Sequence, residues 1–389
     1  MFLNTSAFAA TPQPDAKLTE GCNHLIEKSV FRSYGIAWST DRDRAPLVSY
    51  APGKTPAAGW ILWEAGRICH NARFTRAAIN VARGMANGQE AGGKFPNTVR
   101  FGMADDRGQD TPEYDPDRAS TCAALGLFLT ILHDSPHPDP RLRSCALMAA
   151  RWLSLQQTAY AAWPVASEGP GQYTRTIRLD SPDWRNSTMA LMLAADVFHN
   201  RRYQRQAQLA ATMLLDLNLP KRDTQAAGCW TGAYSLNKLP RSDVPDAPLA
   251  LDTLATRYSL QTLIAEAVCE GDIPALERIH TACNSMQNLQ ETEGSLLRYV
   301  PLDTGKIGSI ELSAPPDLEL PEVLHTVQEV DVKGLAEFAR AFDASGIGGA
   351  NGLDEELARI ITGAGDDAFN PQCPTLAAMA ATAAENMGQ

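Results

Sequence analysis

Apolar positions along this chain recur three and four residues apart, the spacing that lines them up on one face of a helix. Leu125, Phe128, Leu129 and Leu132 form one such face, and Leu147, Met148, Trp152 and Leu155 form the next. Between them lies Ser135-Pro136-His137-Pro138, and because proline ends one helix and opens another, the two faces predict a helical hairpin. The pairing recurs over 189–198 with 209–217, and again over 254–268 with 276–289. Strand-like alternation is scarce, so the chain reads as all-α.

Short similar segments separate the hairpins: Gly92-Gly93-Lys94-Phe95-Pro96, Ala161-Ala162-Trp163-Pro164, Gly228-Cys229-Trp230-Thr231-Gly232 and Gly294-Ser295-Leu296-Leu297-Arg298-Tyr299. Phe95, Trp163, Trp230 and Leu297 stand 68, 67 and 67 residues apart. Extrapolated backwards the period reaches the neighbourhood of Phe31, and forwards it reaches 363–369, so six units of about 66 residues fill the chain. Units of two helices cannot bury their apolar faces alone and must stack on their neighbours. Six units with unequal connections predict a closed ring, an (α/α)6 toroid, over an open solenoid. The toroid is expected to occupy 17–389 as a single domain, with 1–16 as a tail.

That tail carries Ala7-Phe8-Ala9 before Ala10-Thr11-Pro12, a small-residue pattern that suggests a signal-peptide remnant and a periplasmic or secreted protein, although no basic n-region precedes it. Composition narrows the function classes. The formal net charge is −11 and no Lys/Arg stripe is present, which removes the electrostatic term that nucleic-acid binding needs. No run approaches the roughly 18 apolar residues of a membrane span. The eight cysteines show no Cys-x-x-Cys or Cys/His ligand spacing and read as small buried hydrophobes. The seven histidines sit mostly at helix ends or turns, and no Walker loop, GxSxG elbow or HExxH motif occurs.

If the ring closes in this order, the stretches 103–118, 173–185 and 237–257 all emerge at one mouth, where long loops on a rigid scaffold carry chemistry. They bring Tyr114, Asp115 and Asp117, then Asp183, Trp184 and Arg185, then Asp252 and Arg257, followed by Tyr258. Aromatic faces stack on sugar rings, carboxylates do acid and base work or bind a cation, and guanidinium forks grip uronate carboxylates. The expected cleft is therefore lined by Tyr114, Trp163, Trp184, Trp230 and Tyr258, with Asp117, Asp183, Arg185, Asp252 and Arg257 as catalytic candidates. For any single Asp the competing reading is a helix cap, since Asp before an apolar run is a standard N-cap.

Patches of the chain resemble the family 10 polysaccharide lyases, calcium-dependent pectate lyases built on an (α/α) toroid. Gly92-Gly93-Lys94-Phe95-Pro96 followed by Asp115-Pro116-Asp117-Arg118-Ala119 is similar to that family's Gly-Gly-Trp-Pro loop and Asn-Asp-x-Ala helix start. The run from Leu296-Leu297-Arg298-Tyr299 to Thr304-Gly305-Lys306-Ile307 is similar to a later segment. The resemblance implies β-elimination on a uronate glycan, Asp117 as a cation or substrate contact, calcium at Asp115 and Asp117, Arg185 or Arg257 as base or clamp, and Arg298 against the substrate. It departs at Trp230-Thr231-Gly232-Ala233-Tyr234-Ser235, where the family carries a functional carboxylate. Three other readings stay open: a glycoside hydrolase using Asp117 with Asp183 or Asp252, a class II terpene-cyclase-like enzyme, and a glycan-binding or scaffold protein without catalysis.

Overall fold

The computed structural model describes residues 16–32, 35–38, 47–101, 108–110, 118–159, 161–163, 176–219, 227–235, 237–241, 249–270, 273–289, 295–297, 299–302, 305–307, 310–312, 327–329, 353–364 and 376–386. The architecture is an (α/α)6 toroid. After α1 (Ala16–Lys28), the chain makes α2 (Thr55–Ile68), α3 (Ala72–Asn87), α4 (Arg118–Asp134), α5 (Pro140–Gln156), α6 (Asp183–Phe198), α7 (Arg201–Leu217), α8 (Thr253–Glu270) and α9 (Ile273–Asn288). Then come α10 (Leu353–Thr362) and α11 (Leu376–Asn386). Helices α2, α4, α6 and α8 pack successively as an inner wall, and α3, α5, α7 and α9 back them in turn. Helix α11 packs on α1, and both lean on α2, so the two ends of the chain close the ring.

The inner and outer helices differ as their surroundings require. In α4 every residue from Ser120 to Leu132 is buried, as is every residue of α2 from Thr55 to Gly66. In α3 only one stripe is buried, through Phe74, Ala77, Ala78, Val81, Ala82 and Met85. A helix apolar all round must be covered all round. The cover on the axis side comes from α10, which packs against α4, α6 and α2. A helix touching three successive inner helices, already backed by their outer partners, can reach them only from the axis. A Cβ on Gly126 of α4 would lie 2.6 Å from Ile361 of α10, so glycine is what lets the two helices approach. Gly363 ends α10 at φ +73, with its backbone against Pro52 and Gly53, and the Gly53 amide donates to the Thr362 carbonyl at 2.9 Å.

The turns from inner to outer helix repeat one design. His70 and His199 adopt left-handed φ values of 50 and 49, and the next residues, Asn71 and Asn200, cap α3 and α7 by accepting from the amides of Arg73 and Arg202. Asp139 does the same for α5 after the Pro-rich break.

At the other end, the evenly spaced aromatics are joints. The indole N–H groups of Trp38, Trp163 and Trp230 donate to the carbonyls of Leu25, Leu153 and Leu214, near the ends of α1, α5 and α7. The Trp230 amide donates to Thr256 Oγ1 of α8 at 3.1 Å, and the Phe95 amide donates to Thr121 Oγ1 of α4 at 2.9 Å. At Trp230, and at Trp163 through its ring contact with Trp184 of α6, the joint ties the end of an outer helix to the start of the next inner one, and a repeated joint of this kind accounts for a marker that recurs once per unit. In the first unit the joint is Trp38, not the neighbourhood of Phe31, because the hairpin of β1 (Val30–Arg32) and β2 (Gly35–Ala37) lies between.

Short strands stitch the mouth. The stretch β3 (Leu47–Ser49), before α2, pairs with β4 (Thr98–Phe101), before α4, which also pairs with β5 (Gly108–Asp110). Likewise β6 (Thr176–Arg178), before α6, pairs with β7 (Ala233–Ser235), which pairs with β8 (Pro240–Arg241). Next, β9 (Ala250–Asp252) precedes α8 and pairs with β11 (Tyr299–Pro301). The remaining pairs are β10 (Ser295–Leu297) with β14 (Val327–Glu329) and β12 (Gly305–Ile307) with β13 (Ile310–Leu312). Strands of two to four residues are too short to show an alternation in the sequence.

Candidate functional site

The N-terminal turns of α4, α6 and α8 converge at this mouth. Helix N-termini present unpaired amides and the positive ends of their dipoles, so the scaffold itself favours an anion here. Three guanidinium groups join them. Arg118 opens α4 and its Nη2 stands 3.8 Å from Oδ2 of Asp183, which opens α6. The Asp183 side chain keeps 30% of its exposure, that of Arg118 only 11%. Arg257 is half-buried on the first turn of α8.

Arg185 is the most confined of the three. It is buried to 8% exposure, its Nε donates to Asn186 Oδ1 at 3.0 Å, and its Nη1 donates to Gln261 Oε1 at 2.7 Å. Its guanidinium carbon stands 4.6 Å from the centre of the Tyr258 ring. Burying a cation is costly without such partners, and here hydrogen bonds and a ring face supply them. Nearby, Arg178 grips Asp180 through two bonds of 2.8 and 2.5 Å at the end of β6.

Asp252 is placed differently. It is fully buried, and its Oδ1 accepts from the amides of Leu254 and Ala255 at 2.8 and 3.1 Å, so it caps α8. Its own amide donates to the Trp230 carbonyl at 3.0 Å. Asp183 and Arg185 share the first turn of α6, where Arg185 meets Tyr258 of α8; Arg257, next to Tyr258 in the chain, is half-buried, and Asp252 is fully buried as a cap. Arg185, Arg257 and Tyr258 stand on helical turns, where packing holds them more firmly than a loop would.

The three tryptophans expected to line the cleft lie under it. Trp230 is fully buried, and Trp163 and Trp184, each 3% exposed, meet edge to face with centroids 5.9 Å apart. Tyr114, Asp115, Asp117 and Arg298 lie outside the described residues. Among the described residues no three His, Cys, Asp or Glu side chains gather to hold a metal. No described helix is long and apolar enough to cross a membrane.

The sequence reading passed over Asn186 and Gln261 as partners of Arg185. Tyr258 and Gln261 are three residues apart and so share one face of α8, but no periodicity shows which residue of a neighbouring helix that face meets.

The chain matches no protein-family profile and no curated protein. Among solved structures it is similar to a D-mannose isomerase, with a TM-score of 0.55 and 10% identity over 96% of each chain. It is also similar to the unsaturated glucuronyl hydrolase of a Bacillus species, with a TM-score of 0.50 and 11% identity over 90% of this chain and 81% of that one. A family 10 polysaccharide lyase from Cellvibrio cellulosa aligns with a TM-score of 0.39 and 15% identity over 64% of this chain and 79% of that one. The likeness to the first two establishes the toroid.

Proposed function

We propose that this protein is a carbohydrate-active enzyme that cleaves uronate-containing glycans by β-elimination at the mouth formed by α4, α6 and α8. One observation carries the reading: Arg118 at the start of α4 stands 3.8 Å from the partly exposed carboxylate of Asp183 at the start of α6, with Arg185 on the same turn of α6 and Arg257 half-buried near the start of α8. The named sugar enzymes sharing the fold support a carbohydrate substrate.

A uronate carboxylate held by Arg118, Arg185 and Arg257 loses much of its negative charge, which acidifies the neighbouring ring proton. Asp183 takes that proton, the carbon–oxygen bond to the departing sugar breaks, and a carbon–carbon double bond forms between the two ring carbons. The departing oxygen leaves as a hydroxyl after receiving a proton from solvent. Arginine keeps its own proton in proteins, so it acts here as a clamp and not as the base. The exposed part of the Tyr258 ring stacks on the sugar, while Trp163, Trp184 and Trp230 support the mouth from beneath. The proposal retains Tyr114 and Arg298 as substrate contacts, and Asp115 and Asp117 as the place for calcium.

A second reading, glycoside hydrolysis, is favoured by the hydrolase among the structures of similar fold. It needs two carboxylates flanking the bond, Asp183 and Asp117, since Asp252 is committed to capping. One assay separates the readings. With polygalacturonate and glycosaminoglycan oligomers, elimination yields an unsaturated product that absorbs in the ultraviolet, whereas hydrolysis yields new reducing ends without that absorbance. Reducing ends without absorbance would replace the lyase by the hydrolase, and neither product from any acidic glycan would remove both.

A further inference from the structure

We infer that the outer wall at the seam of α5 and α7 is a second binding surface, apart from the mouth, on which Arg151, Arg202 and Arg205 hold a further stretch of an acidic polysaccharide. The inference rests on the function proposed above. In a chain of net charge −11, α5 and α7 together carry six arginines, no lysine and a single acid, Asp216. Asp216 pairs with Lys238 at 2.6 Å, and Asp139, which caps α5, pairs with Arg83 at 2.9 Å. Arg151, Arg202 and Arg205 are exposed, and among the described residues none of them stands in an ion pair. Four of the five large apolar side chains exposed among the described residues, Leu147, Met148, Leu155 and Leu209, lie on these same two helices.

The two helices are stitched at one level. Gln206 Oε1 accepts from Ser154 Oγ at 2.6 Å, Gln206 Nε2 donates to the Ser154 carbonyl at 2.9 Å, and the Gln206 carbonyl accepts from Gln157 Nε2 at 3.0 Å. Helical spacing sets Arg151 beside Leu155 on one side of this stitch, and Arg202 and Arg205 beside Leu209 on the other. Burial raises the Tyr203 pKa, and the charges of Arg202 on its own helix and of Arg151 across the seam oppose the rise, so both helices bring a guanidinium near one phenol. The seam reaches the mouth end of the wall, since the carbonyl of Leu153, next to Ser154, takes the Trp163 indole proton beneath the mouth. A guanidinium fork matches a carboxylate edge on, whereas an anionic lipid surface asks only for positive charge and takes lysine as readily. Arginine throughout, with no lysine, therefore fits a ligand that repeats carboxylates along a chain, as a polyuronate does. The acidic remainder of the protein repels such a polymer at long range, and a positive strip beside the mouth reverses that sign where the chain arrives.

The test is a triple variant, Arg151→Gln with Arg202→Gln and Arg205→Gln, measured for melting temperature, for turnover and by calorimetric binding of long polygalacturonate beside a galacturonate trimer. The three side chains are exposed, so the melting temperature holds. KM and Kd for the polymer rise about five- to tenfold, the product of three exposed charge contacts that each contribute about twofold. For the trimer, which fills the mouth alone, KM and kcat stay as they were. Raising the salt to about 0.5 M removes the polymer's advantage from the unmodified protein as well, because exposed charges are then screened.

Polymer binding in the triple variant equal to that of the unmodified protein overturns the inference. So does an equal loss for trimer and polymer, which marks an effect on the mouth itself. Sedimentation of the unmodified protein, but not of the variant, with phosphatidylglycerol vesicles at an unchanged polymer Kd gives the face to a membrane and overturns it too. Failure of the lyase reading looks different: no unsaturated product forms, while calorimetry still reports whether polymer binding depends on the three arginines. An unmodified protein that binds no acidic polysaccharide overturns both.

Discussion

Asp252→Asn and Asp252→Ala together decide whether this carboxylate is a cap or a catalyst. Its Oδ1 accepts the amides of Leu254 and Ala255, and an Asn side chain offers an oxygen of the same reach. Asp252→Asn therefore keeps the cap and the fold. Asp252→Ala leaves two amides without that acceptor in a fully buried place, so the cost falls at the upper end of the N-cap range, about 2 kcal/mol. Unfolding entropy of roughly 2.1 cal/mol/K per residue over the whole chain gives about 0.8 kcal/mol/K. The melting temperature of Asp252→Ala should then fall by roughly 2 to 3 °C, and that of Asp252→Asn should hardly move. Calorimetric melting with product formation measured on the same samples provides the assay. An Asp252→Asn protein that melts like the parent and forms no product would refute the view that Asp252 only caps α8 and restore it as a hydrolase carboxylate.

Four further outcomes are expected. Burial works to raise the Asp139 pKa, but its hydrogen bond to Arg83, the Arg141 amide and the Arg83 charge prevail and lower it. The pair's stability contribution is thus present above the unfolded value of about 3.9 and lost as pH falls through the lower folded value, so Arg83→Ala should flatten the melting temperature's dependence on acid, and an unchanged acid profile would refute the pairing. Burial pushes the Cys22 thiol up to about 12, so a thiol reagent at neutral pH should spare Cys22 in the folded protein while the half-exposed Cys69 reacts, and fast modification of Cys22 in mass spectra would contradict its burial. Gly126→Ala sets a Cβ 2.6 Å from Ile361, so it should destabilise by about 1 to 3 kcal/mol in denaturant unfolding, whereas a neutral result would mean that α10 does not sit against α4. Calcium at Asp115 and Asp117 predicts loss of turnover on chelation and recovery with added calcium, and turnover indifferent to chelator would remove it.

Helix pairs, their order and the length of the unit were legible because helical burial leaves a periodic trace: α4 with α5 and α8 with α9 stand where the 3.6-residue spacing puts them. The marker period was legible for a second reason, that every unit needs the same joint between an outer helix and the next inner one. What that joint does was not legible. A tryptophan that donates to Leu214 beneath the mouth and one that stacks on a sugar read alike in sequence, and only burial tells them apart.

The same limit applies to charge. Asp183 and Asp252 each stand at the start of a helix after a polar stretch, yet one keeps solvent at an ion pair and the other is sealed under Trp230 as a cap. Helix α10 shows the limit most directly. Its apolar residues Leu357, Ala358, Ile360 and Ile361 must leave water, but nothing in their spacing says that α4, α6 and α2 are the cover. The sequence by itself determined which surfaces must leave water, because that follows from side-chain chemistry read along one helix. Which surface meets which, and so which guanidinium stands over Tyr258 beside Gln261, was decided by the tertiary structure, because such partners are far apart in the chain and only packing brings them together.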